Sequence, residues 1–356
     1  MKPALRLPLL LLAILALLVA MWAGLLRIGW TLPTWQPRLA QSHGPLMIGG
    51  FLGTLIALER VVSLNRRAAY IIPGVAAAGA LALMVGIIGW GSWLITLGSL
   101  GLAALFLVML RQHPALHTGV MAGAAWLWFV GNVIWLLGRP IHQAVLWWAS
   151  FLILTIAGER LELSRILRPP RRARQLFLGA LLLVLIGLVL SVGVYDAGIR
   201  LTSIGFLALA AWLLRYDLAR RTVRQHGLPR FIAICLLSGY AWLGVGSLLA
   251  LIFGGMPAGV YYDAILHAWF LGFVFAMIFG HAPIIFPAIL ERPITYHVRF
   301  YLPLVLLHLS LLLRLIGDLT LSPFARRWGG LLNVAVLLLF LLNTAISLRQ
   351  PTPARA

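Results

Sequence analysis

Apolar residues run in blocks of about twenty along the whole chain, the length a helix needs to cross a hydrocarbon layer. Polar residues collect in the short stretches between the blocks. The pattern predicts twelve helices, over residues 6–30, 43–64, 69–90, 92–110, 116–138, 142–164, 174–194, 198–216, 230–254, 261–290, 299–317 and 327–348. The separators, among them "TLPTWQPRLAQS", "RPPRRARQ", "RQHGLPR" and "GGMPAGV", carry the proline and glycine that stop helices. None has room for a soluble domain, so residues 1–356 read as a single integral membrane domain with short termini. The first run is too long for a signal-peptide core and no small-residue cleavage site follows it, so it reads as a retained span.

Composition agrees. Of 356 residues, 62% are hydrophobic and 10% charged, and the mean hydropathy is +1.00. Cys235 is the single cysteine, which excludes a disulfide framework, a cysteine-rich metal site and covalent haem attachment through Cys-x-x-Cys-His. The net charge of +20 would suit nucleic acid if it were gathered on one soluble face. The basic residues instead lie between apolar runs, where anionic lipid headgroups account for them. The bilayer is the expected partner, and nucleic acid is not.

The distribution of those charges predicts an orientation. If the N-terminus is cytoplasmic, 21 of the 28 Lys and Arg fall at cytoplasmic ends, and both termini lie on that side. The other seven are Arg27, Arg38, Arg139, Arg200, Arg314, Arg326 and Arg327. Trp30, Trp35, Trp90, Trp93, Trp135, Trp147, Trp148 and Trp328 fall at or near the outer ends and are expected to form an aromatic belt.

Against this frame a few polar residues stand out by depth. His43 opens span 2, His142 opens span 6, and His267 lies about two turns into span 10, all near the outer level. Glu59-Arg60, Glu159-Arg160 and Glu291-Arg292 close the same three spans at the inner level. Spans 2, 6 and 10 are four apart, which predicts three pseudo-repeated four-helix units. Ionisable groups inside a membrane tend to mark sites. A neutral imidazole is the usual axial ligand of haem iron, and one from each of two helices gives a six-coordinate haem. Gly49, Gly50 and Gly53 after His43, and Gly272 after His267, give the small faces that a flat macrocycle needs; close helix packing uses the same glycines. Asp263, four residues before His267, either accepts its ring N–H or caps the helix in solvent.

"H43GPLMIGGFLGTLI" and "H267AWFLGFVFAMI" resemble the histidine-plus-Gly-Phe helices of the NnrS family. Its members are bacterial inner-membrane haem proteins of twelve spans, linked to nitric oxide and nitrosative stress. The arrangement is also similar to subunit I of the haem-copper oxidases, three helical arcs in which outer histidines on helices 2 and 10 hold a low-spin haem. The resemblance implies that His43 and His267 ligate a haem, b-type by expectation. It sets His142 on a copper-site helix, so copper is a second candidate metal. Arg38 and Arg139, on outer loops, are candidates for the propionates. An electron donor or a small gaseous ligand is the implied partner, and the bacterial cytoplasmic membrane the implied location.

The departures are as informative. An oxidase carries His-x-His on helix 10, whereas the next histidine here is His281, fourteen residues and roughly 20 Å deeper. Span 7 has no histidine, so an oxygen-reducing haem–copper centre is not expected. His281 and His308 fall at similar depths on spans 10 and 11, where they hold a second metal or make ordinary hydrogen bonds. The alternative function is proton-coupled transport with no haem. Against it, the repeat reads as four spans, not six, and the halves carry no matching pair of broken helices.

Overall fold

The computed structural model describes residues 5–64 and 66–349. Lys2 and Arg355, counted above among the basic flanks, lie outside them, as does the side chain of Arg349. The protein is all-helical, 86% helix with no strand among the described residues. Twelve helices are long and apolar enough to span a membrane: α1 Arg6–Arg27, α2 Leu39–Leu64, α3 Arg67–Met84, α4 Ile88–Gln112, α5 Leu116–Leu136, α6 Ile141–Leu167, α7 Arg171–Gly193, α8 Tyr195–Tyr216, α9 Gly227–Phe253, α10 Val260–Leu290, α11 Val298–Leu319 and α12 Pro323–Leu348. They match the predicted spans one for one. Large apolar side chains such as Leu11, Ile71, Leu97, Val189 and Leu309 stay exposed, as helices facing lipid tails require.

Three of the predicted ends overshoot for one reason. The apolar pattern carries the first, third and fifth spans on to residues 30, 90 and 138, but these helices stop earlier, at glycines with positive φ: Gly29 (90°), Gly86 (88°) and Gly138 (73°). Each closes a paired C-terminal motif. At α3, the amide of Ile87 donates to Ala82 O at 2.8 Å and that of Gly86 to Leu83 O at 3.2 Å. Trp30 follows the first of these glycines and Ile87-Ile88 the second, so there hydropathy continues where the helix does not.

The helices form two compact units. Of the described residues, those within 1–151 and 285–292 make the first unit, and those within 152–284 and 293–356 the second. In the first, α1, α2 and α3 meet over small residues. A Cβ added at Gly50 would lie 2.9 Å from the Ala80 methyl and 3.1 Å from the Ala16 methyl. Arg6, buried at the start of α1, donates to Glu291 at 2.8 Å and to the Tyr70 hydroxyl at 3.1 Å. In the second, α7 packs along α8, and α11 along α12. Arg160 at the end of α6 binds Asp217, just past α8, through both fork nitrogens at 2.7 and 2.9 Å.

The expected tryptophan belt divides. Trp35, Trp90, Trp93 and Trp328 are exposed, but Trp147 and Trp148 are buried. Trp148 packs edge-on to Trp135 and against Gly131, as core rather than as an interfacial anchor.

Candidate functional site

Near the start of α2, the His43 ring bonds through Nδ1 to Ala20 O on α1 at 2.7 Å. A carbonyl only accepts, so Nδ1 carries the proton and, in the neutral ring, Nε2 carries the lone pair. The ring lies on Gly24, where an added Cβ would be 2.9 Å from both Cε1 and Nδ1. Gly24→Ala is therefore expected to push the His43 ring off the Ala20 carbonyl and to destabilise the protein by about 1–3 kcal/mol through overpacking. Thermal unfolding in detergent measures this, and an unchanged midpoint would show that α1 yields freely. Three residues after His43, α2 turns π-helical over Leu46–Gly53.

His267 is built in a similar way in the second unit. Its Nδ1 bonds to the backbone O of Asp263, one turn earlier on α10, at 2.8 Å, which again leaves the lone pair on Nε2. A π-helical stretch, Ala268–Phe275, follows at once. Such stretches insert a residue per turn and often lie at functional sites.

The expectation for Asp263 is refined. Its backbone oxygen takes the imidazole proton, while its carboxylate stands 3.4 Å from the ring. That carboxylate receives both fork nitrogens of Arg314 on α11, at 2.9 and 3.0 Å. Arg326 on α12 stands 3.9 Å from Asp263 and 3.0 Å from Asp318, which is fully buried. Two acids, two arginines and His267 thus form one cluster across α10, α11 and α12. The chain pattern had placed Arg314 and Arg326 only as exceptions to the charge rule; neither their role nor Asp318 was foreseen.

The remaining predicted residues sit as follows. Arg38 and Arg139 are exposed, and His142 is half-buried at the start of α6. His281 Nδ1 bonds to Met277 O at 2.7 Å within α10. His308 is held from α9: Trp242 donates to its Nδ1 at 3.0 Å, and its Nε2 donates to Ser238 Oγ at 3.0 Å. Neither nitrogen is then presented to a metal. Trp242 also fills the space beside Gly272, so that glycine receives an indole from α9. Glu59 lies 3.6 Å from its neighbour Arg60. Among the described residues, no group of three or more His, Cys, Asp or Glu converges on a common metal position.

Twelve membrane-length helices, with an imidazole–carboxylate–arginine cluster at the start of α10, define a multi-pass α-helical membrane protein. The chain belongs to the DUF8744 family, described as a domain of unknown function, which matches residues 6–349. No curated protein matches it.

Proposed function

We propose that this is a haem-binding membrane protein of NnrS type, acting in electron transfer or in the response to nitric oxide, with His43 and His267 as the residues that would hold the haem. One observation carries the reading. Both imidazoles fix the same tautomer, Nδ1–H to a backbone carbonyl and the lone pair on Nε2, the arrangement that second-shell acceptors impose on ligating histidines. The donor set fits a haem held without thioether bonds, because two neutral imidazoles suffice for six-coordinate iron. When bound, the haem would supply a one-electron couple.

The chain's own part is to hold these rings. Ala20 O fixes the plane of His43 from α1. Asp263 fixes His267, and Arg314 fixes Asp263 in turn. The reading includes a bacterial cytoplasmic membrane with both termini inside, supported by the bias of Lys and Arg toward one set of helix ends.

The test is the absorption spectrum of the purified, detergent-solubilised protein, oxidised and then dithionite-reduced. The wild type is expected to show a low-spin haem. His43→Ala and His267→Ala should each remove or convert that spectrum, and His113→Ala should leave it unchanged. A colourless protein from haem-replete cells would overturn the assignment in favour of proton-coupled transport.

A further inference from the structure

We propose that a recess at the arginine-rich end of α9 and α11 binds the phosphate headgroup of an anionic phospholipid. This does not rest on the haem reading, since every residue involved lies elsewhere in the second unit. The recess holds about 400 Å³, and His226, Arg230, Ile234, Tyr296, Val298 and Tyr301 are among its walls. That volume is in the range of small-ligand sites.

Its chemistry is one-sided. Its exposed lining is mostly apolar, and the polar side chains on its walls are Arg230, His226 and two tyrosines, with no carboxylate among them. Burial and the neighbouring Tyr301 push the Tyr296 hydroxyl up to about 12, so it remains a protonated donor at any physiological pH. The tyrosine wall is fixed from behind by the fully buried Phe231, whose ring meets Tyr301 edge-on at 5.2 Å and lies 6.1 Å from Tyr296. Arg220, Arg221 and Arg224 lie exposed just before α9 and raise the local positive potential.

The order of groups along α9 favours a lipid over a free anion. His226 and Arg230 come first, and Ile234 follows one turn further into the apolar run. Val298 faces the same recess from the start of α11. A phospholipid presents its parts in that sequence, phosphate at the interface and acyl chain beyond, with basic side chains on the phosphate.

The experiment uses the full-length protein in nanodiscs of phosphatidylcholine containing a minority of phosphatidylglycerol. Lipid retained after release is counted by native mass spectrometry. Wild-type protein is expected to keep phosphatidylglycerol selectively. Arg230→Gln should reduce retention about fivefold, the factor for one basic side chain near a membrane surface. Tyr301→Phe provides a second, conservative variant should Arg230→Gln fail to assemble, and should weaken retention in the same direction. Arg171→Gln, an exposed arginine outside the recess, should retain wild-type levels, and excess inorganic phosphate should not displace the lipid. Equal retention by Arg230→Gln, or by Tyr301→Phe where Arg230→Gln fails to assemble, would overturn the proposal. So would an equal loss in Arg171→Gln, which would mean diffuse attraction to a basic face. Displacement by phosphate would instead identify a soluble-anion site.

Discussion

Asp217→Ala is expected to destabilise the protein by about 3–5 kcal/mol, the range for removing one partner of a buried ion pair. Asp217 is fully buried and Arg160 nearly so. Without the carboxylate, the guanidinium keeps its desolvation cost and loses both of its 2.7 and 2.9 Å acceptors. A second loss adds to the first, because Asp217 Oδ1 also accepts the amide of Ala219, the first residue of the short helix Ala219–Thr222, at 2.6 Å. Asp217→Asn separates the two: it retains an oxygen for that amide but no charge for Arg160, and should fall between wild type and Asp217→Ala. The pair Arg160→Met with Asp217→Leu removes both charges together and should recover a large part of the loss. Thermal unfolding in detergent, run as a double-mutant cycle, reads the coupling. If the double variant is as unstable as the sum of the singles, the ion pair is not what holds the end of α6.

The helices were legible in the chain because lipid imposes a length and an apolar composition on every span. All twelve appear in order. Their ends were less legible where hydropathy and backbone geometry disagree. Gly29 and Gly86 stop helices inside apolar text, and a glycine near the close of a predicted span, as at Gly29 and Gly138, was the signal to read. His43, His267 and Asp263 stood out because polar groups in such chain are rare. Their partners did not, since a carbonyl such as Ala20 O leaves no mark in composition. Arg314 did leave one: an arginine within "LLLRLIGDLT" needs an anion, and Asp263 was already a candidate. Asp318, four residues on, belongs to the same signal. The π-helical stretches after both histidines had no readable pattern, because the extra residue per turn comes from packing, not from propensity. Trp148 shows the opposite error. Position near a span end suggested an anchor, whereas the space left by Gly131 turns the indole inward.

Arg314→Ala is expected to be the most damaging change in the cluster at the start of α10. Arg314 is the only arginine within 3.0 Å of the Asp263 carboxylate among the described residues, and Arg326 at 3.9 Å is already engaged at 3.0 Å with Asp318. Removing Arg314 therefore leaves two largely buried carboxylates sharing one guanidinium, at a cost of about 3–5 kcal/mol. Arg314→Lys keeps the charge but not the planar fork that meets both Asp263 oxygens, so it should give an intermediate loss. Asp263→Asn makes a different cut. The backbone carbonyl that fixes the His267 ring stays, while Arg314 loses its anion; stability should fall while the His267 tautomer is retained. Gly329 extends the same logic to α12, since a Cβ there would stand 2.6 Å from the Arg314 amide nitrogen and force the two helices apart. Gly329→Ala and Arg314→Ala should then be non-additive, because the first already displaces what the second removes. Unfolding midpoints of the four single variants and that double variant decide it: additive losses, or a wild-type midpoint for Arg314→Ala, would mean that α10 is held to α11 by apolar packing alone.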